Sequence, residues 1–398
     1  MKISERVLGL GASPMRKFNP IVRDAKSRGI KIYHLNIGQP DIPTPENFME
    51  SIRNYRDPVL PYVASEGIPE LIQSIQDYYK LYDIDYREDE ILVTAGGSEA
   101  LLYTMLAICD PGDQVLMPEP FYSNYASFIQ IAGAKIQPIP TKVEEDFALP
   151  PLVELEKYVN PRVKAIMITH PGNPTGKIYS KEEMDDIARL AIQHDLFIIA
   201  DEVYREFVYE GIEYQSFGLR EDIQDRVIMI DSISKRYSAC GARIGFIATR
   251  NRELLPQLLK FCQTRLSVST LDQIGAAQLL RMPKDYFREI LESYRSRRDV
   301  LYHGLSRIEG VICGKPQGAF YVIAKLPVDD SDRFIRWLLE DFHMDNETVQ
   351  LAPAEGFYAT EGLGRDEVRI AYILKEEDLK RSTDILEQAL KEYPGRTI

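Results

Sequence analysis

Residues 163–204, VKAIMITHPGNPTGKIYSKEEMDDIARLAIQHDLFIIADEVY, read as strand, turn, helix and strand. VKAIMIT and LFIIA are apolar at nearly every position, as expected of strands covered on both faces. HPGNPTG supplies prolines and glycines for a rigid turn. KEEMDDIARLAIQH repeats its apolar residues at the helical period. Its first turn is acidic, which suits the positive end of a helix dipole. A strand, crossover helix and second strand of this kind predict a parallel pair.

The same alternation extends outward. EILVT (90–94), DQVLM (113–117), KIQPIP (135–140), RVIMID (226–231) and ARIGFIA (242–248) are further strands, and SEALLYTMLAIC and NYASFIQIAG are helices between them. The pattern predicts an α/β fold with a mostly parallel, seven-stranded sheet flanked by helices. The ends differ. A long charged helix is expected over 286–310, then the strand GAFYVIAKL, a helix over 331–342, the strand VRIAYIL and a final helix. We expect a large domain over 46–285 and a smaller α+β domain built from 1–45 and 286–398.

The chain has 398 residues and a formal net charge of −13, which argues against nucleic acid and anionic membranes as partners. It leaves room for a local basic pocket. The 4 cysteines form no C-x-x-C pair and the 5 histidines show no zinc-ligand spacing, so no metal is expected. No signal peptide or membrane span is apparent, and a cytoplasmic location is the expectation.

Ligands of open α/β sheets sit at the carboxyl ends of the strands. Five strand ends here carry chemistry. AGGSEA (95–100) offers Gly96 and Gly97 for close backbone approach and Ser98 at a helix start, which reads as an anion site or as an ordinary N-cap. PEPFYSNY supplies Tyr122, HPGNPTG supplies Asn173, DEVY supplies Asp201 and Tyr204, and SISK supplies Ser232 and Lys235. Asp201, following four apolar residues, needs a partner: a backbone N–H, an arginine, or the protonated ring nitrogen of a cofactor. Tyr204 fits core packing or donation to a phenolate. Lys235 fits a solvated surface charge or an amine condensed with an aldehyde. Ser98, Ser232 and Arg243 could anchor a phosphate, and Tyr122 could stack on a ring. This set matches the needs of pyridoxal 5'-phosphate.

At these residues the sequence resembles the aspartate aminotransferase family, the class I aminotransferases of the fold-type I pyridoxal phosphate enzymes. S-I-S-K-x5-G-x-R-x-G (232–245), G-N-P-T-G (172–176) and D-E-V-Y (201–204) carry the resemblance, which runs from NIGQPDIPTP (36–45) to VRIAYI (368–373). It implies that Lys235 holds the cofactor covalently and shuttles a proton. Asp201 would keep the pyridine nitrogen protonated, Asn173 and Tyr204 would bond the ring oxygen, and Tyr122 would stack on the ring. Gly97, Ser98, Ser232 and Arg243 would bind the phosphate, and Tyr62 would reach the phosphate of a neighbouring subunit, implying a homodimer with shared sites. Arg369 and the backbone of Gly38 would hold the substrate α-carboxylate, where the plainer reading of Arg369 is an exposed strand residue paired with an acid.

The implied reaction is amino transfer between an L-amino acid, aspartate first, and a 2-oxo acid, with 2-oxoglutarate the expected acceptor. A carbon–sulfur lyase, an ACC-synthase-like cyclase and a catalytically silent regulator are the alternatives on the same fold. One departure bears on the donor. Where many aspartate-preferring members place an arginine near RLSVSTLDQIGAAQ (265–278), this chain has Asp272 and Gln273. Arg16, Lys17 and Arg265 are the remaining candidates for a distal carboxylate.

Overall fold

The computed structural model describes residues 1–11 and 15–398. Seven strands form one sheet in the spatial order 91–94, 245–248, 227–232, 197–201, 163–169, 114–119, 135–140. Four of its six pairings are parallel, and only Gly245–Ala248 runs against the rest. Six strands therefore end on one edge. The reversed strand begins there, which brings Arg243, two residues before it, to the same edge as the five chemical strand ends.

Continuous apolarity conceals a strict two-face alternation, because successive strand residues point to opposite sides. In Val227–Ser232, Val227 and Met229 pack on one face, and Ile228 and Ile230 pack on the other. In Phe197–Asp201, Ile198 and Ala200 join the first face, and Phe197 and Ile199 the second. This parity carries past the strand ends. Asp201 and Ser232 continue the second face, and Glu202 and Asp231 continue the first.

The helix Lys181–Gln193 begins at a capping box: the Glu183 N–H donates to Ser180 Oγ, and the Ser180 N–H donates to the Glu183 carboxylate at 2.7 Å. The long charged helix runs Tyr286–Ser306 with Arg307 as its C-cap, so it ends short of the expected 310, ahead of the turn at Gly310 (φ +81°). The strands Tyr321–Lys325, Ala352–Pro353 and Glu367–Ala371 form an antiparallel sheet. Lys31–His34 pairs in parallel with Glu347–Gln350, so the N-terminal segment joins the C-terminal part of the chain. Among the described residues no helix is long and apolar enough to cross a membrane.

Candidate active site

A cavity of about 450 Å³ opens at the carboxyl edge of the large sheet and is closed from the other side by Tyr321 and Arg369 of the small sheet. Eleven of the twelve residues expected at the site line it: Gly38, Gly97, Ser98, Tyr122, Asn173, Asp201, Tyr204, Ser232, Lys235, Arg243 and Arg369. Tyr62 does not. It is 79% exposed and lies away from the cavity of its own chain.

Lys235 sits on the one-turn helix Ile233–Arg236 that follows the strand Val227–Ser232. Its Nζ donates to the Gly38 carbonyl at 3.0 Å. Ser232 caps that turn, its Oγ accepting the Ser234 N–H at 3.1 Å.

Asp201 is 6% exposed. Its Oδ2 accepts the Tyr125 hydroxyl at 2.6 Å, and Oδ1 has only the Val203 N–H at 3.4 Å. No cation pairs with it among the described residues. Burial pushes its carboxyl up to about 6, against the pull of the Tyr125 and Val203 hydrogen bonds. The arginine that the sequence left open as a partner is absent, and the nearby Arg205 pairs with Glu202 instead, among the described residues. Tyr125 was missed by the sequence reading. Its signal was its place one helical turn after Tyr122, at the start of the helix Asn124–Ile131.

Asn173 Nδ2 donates to the Tyr204 hydroxyl at 3.3 Å, and that hydroxyl lies 3.1 Å from the hydroxyl of Tyr321. Tyr321 was also missed. Burial raises the Tyr204 phenol well above its ordinary range, so it stays protonated at neutral pH. Gly38 is required where it stands, because a Cβ there would overlap the Tyr321 ring.

The plainer reading of Arg369 fails. It is 2% exposed and has no carboxylate partner among the described residues. Its Nη2 donates to the Asn36 carbonyl at 2.6 Å and its Nη1 to Asn173 Oδ1 at 3.2 Å. The rings of Tyr321 and Phe357 lie 4.7 and 5.0 Å from the guanidinium, and Nε has no partner.

The helix Gly97–Ile108 starts one residue before Ser98, with Gly96 at φ +77° as its N-cap, so Ser98 is not the cap. Arg243, itself left-handed at φ +55°, lays its guanidinium over Gly96, where a Cβ would stand 2.6 Å from Nη2. Its Nη1 donates to the Cys240 carbonyl at 3.0 Å. The positive end of a helix and a guanidinium with no carboxylate partner among the described residues together favour an anion. Of the three distal candidates, only Arg16 lines the cavity. Lys17 pairs with Asp332, and Arg265 lies 3.5 Å from Glu99. In a chain of net charge −13, the cavity carries four cations (Arg16, Lys235, Arg243, Arg369) and one carboxylate.

A basic cavity at a parallel sheet's carboxyl edge, with a lysine, a buried carboxylate and three arginines that pair with no carboxylate among the described residues, defines a class, the class I and II aminotransferases. Residues 30–386 match the model of that family, and the chain belongs to it. It is 31% identical to the probable aspartate/prephenate aminotransferase of Aquifex aeolicus, over 98% of this chain and 99% of the relative. It is 30% identical to aromatic-amino-acid aminotransferase 2 of Thermococcus litoralis, over 98% and 99%. The solved alanine aminotransferase of Pyrococcus furiosus superposes with a TM-score of 0.89 at 30% identity, covering 98% of this chain and 100% of that one.

Enzymes of this family use pyridoxal phosphate, and this chain is an aminotransferase. Its residues fit the group. A buried carboxylate without a cation suits a protonated ring nitrogen, and a helix start beside Arg243 suits a phosphate.

Proposed function

We propose that the enzyme moves an amino group between an L-amino acid, aspartate the first candidate, and a 2-oxo acid such as 2-oxoglutarate. Three groups facing one cavity carry this reading: the Lys235 amine, the uncompensated Asp201 carboxylate and the carboxylate-free Arg369. When bound, pyridoxal phosphate supplies an aldehyde that condenses with amines and a ring that withdraws electrons from the substrate α-carbon.

The chain supplies the rest. Lys235 holds the cofactor and moves the proton of the substrate α-carbon. Asp201 keeps the ring nitrogen protonated, its own charge offsetting the added proton. Asn173 and Tyr204 donate to the ring oxygen, and Tyr122 gives a stacking face. Gly97, Ser98, Ser232 and Arg243 hold the phosphate. Arg369 grips the α-carboxylate with its planar fork, and Gly38 closes the other side. Residues 46–285 act as the cofactor-binding unit, with 1–45 and 286–398 as the smaller unit beside it. The working form is a homodimer in which exposed Tyr62 serves the site of a second copy, and we place it in the cytoplasm.

The relatives' names differ in substrate, and the α-carboxylate contact proposed for Arg369 is common to all amino donors, so the choice of donor falls to the rest of the cavity. Arg16 supports a dicarboxylic donor, being the cavity cation without another assigned partner. A half-reaction panel tests the whole reading. Each amino acid is added to the cofactor-loaded protein, and the loss of the lysine-bound cofactor's absorption is recorded. Aspartate should convert the cofactor to pyridoxamine phosphate fastest. Elimination products without pyridoxamine phosphate would make the enzyme a lyase and overturn the proposal.

A further inference from the structure

Behind the cavity lies a second, buried layer of charge that the chemistry above does not use. Glu202, Arg205, Asp231, Arg236 and Glu206 form one alternating chain of ion pairs. Arg205 Nη2 lies 2.9 Å from Glu202 and its Nη1 lies 3.5 Å from Asp231. Arg236 pairs closely with Asp231, and its Nε lies 3.2 Å from Glu206. All five residues are buried, and none lines the cavity. The Arg236 guanidinium lies 4.5 Å from the ring of Tyr78, whose hydroxyl bonds Glu206.

The placement follows a rule. Four of the cavity-facing groups have a chain neighbour in this layer: Asp201 has Glu202, Tyr204 has Arg205, Ser232 has Asp231, and Lys235 has Arg236. The layer thus joins the turn 201–206 to the turn 231–236, two segments more than twenty residues apart in sequence. A buried ion chain contributes little net stability, because desolvation offsets most of its attraction. What it supplies is a fixed geometry. The helix Ile233–Arg236 is a single turn and too short to hold itself. Lysine has a flexible four-carbon stem, so the direction of its amine depends on where its backbone is held.

We propose that Arg236, through Asp231 and Glu206, is a positioning residue for Lys235, holding its turn in register with the turn that carries Asp201 and Tyr204. This rests on the role given to Lys235 above. The test uses the full chain and two readouts. Hydrogen exchange of amides 232–237 is measured without added cofactor, and steady-state kinetics with it. In Arg236→Met those amides should exchange about tenfold faster. Its kcat should fall about 10- to 100-fold with KM values within about threefold.

The charge-balanced double variant Arg236→Met/Glu206→Gln should regain thermal stability while exchange stays fast and kcat stays low. If kcat instead recovered together with Tm, or Arg236→Met kept kcat within about twofold of the unaltered enzyme, the proposal would be overturned. Should Arg236→Met fail to fold, Glu206→Gln alone must show faster exchange at 232–237 and a kcat lowered about threefold or more, and normal values of both overturn it. The exchange readout does not depend on cofactor. A wrong assignment of Lys235 would show separately, as unaltered protein that takes up cofactor without a bond to that lysine.

Discussion

The Tyr125 hydroxyl donates to Asp201 Oδ2 at 2.6 Å, and among the described residues no cation stands beside that carboxylate. Asp201 is therefore ionised at neutral pH only at a cost. Its folded value is about 6, raised by burial from an ordinary 3.8. A raised carboxyl contributes stability that is fully present below pH 3.8 and is lost as pH rises through about 6. In the cofactor-free protein, Asp201→Asn should thus raise stability at pH 8 relative to pH 4, by on the order of 3 kcal/mol. Urea denaturation at the two pH values measures this. The same variant should lose activity by about 100-fold or more, since it can no longer hold a protonated pyridine. An Asn variant no more stable than the unaltered protein at pH 8 would refute the account.

Tyr125→Phe should push the Asp201 carboxyl further up, because the lost hydrogen bond was one of the influences holding it down. Cofactor affinity should then weaken by about tenfold at pH 6 and only about threefold at pH 8. Fluorescence titration of cofactor binding at both pH values is the measurement, and an equal loss at both would contradict the role of Tyr125.

Arg369→Lys keeps the charge but loses the fork that a carboxylate meets with two parallel bonds. KM for every amino donor should rise about 10- to 100-fold. Donors with and without a distal carboxylate should suffer alike, as expected of a contact to the α-carboxylate that all donors share.

Arg16→Gln should discriminate between donors. Aspartate and glutamate should lose about tenfold in kcat/KM, while alanine should change by less than about twofold. Equal losses for all donors would remove Arg16 from the distal site.

The roles of particular residues show how far the linear chain could be read. Lys235, Asp201 and Asn173 were legible because each stands at, or within four residues after, the end of an apolar strand, and strand ends of a parallel sheet converge. Of the two readings of Ser98, the ordinary cap fails because Gly96, at φ +77°, takes that place two residues earlier. Tyr125 and Tyr321 look like ordinary aromatic residues in the sequence. Their hydroxyls matter only because a helix start and a strand of the other sheet reach the same cavity.

The sequence by itself determined the order of strands and helices, the chemistry at each strand end and the family, since periodicity and short motifs are local properties. Only the tertiary structure decided that Arg16 and not Lys17 or Arg265 faces the cavity, that Arg369 is buried without an acid, and that Arg236 reaches Glu206. These contacts join residues distant along the chain. Which groups meet is set by sheet order and by the side of each strand on which a residue falls, and neither is written at any single position.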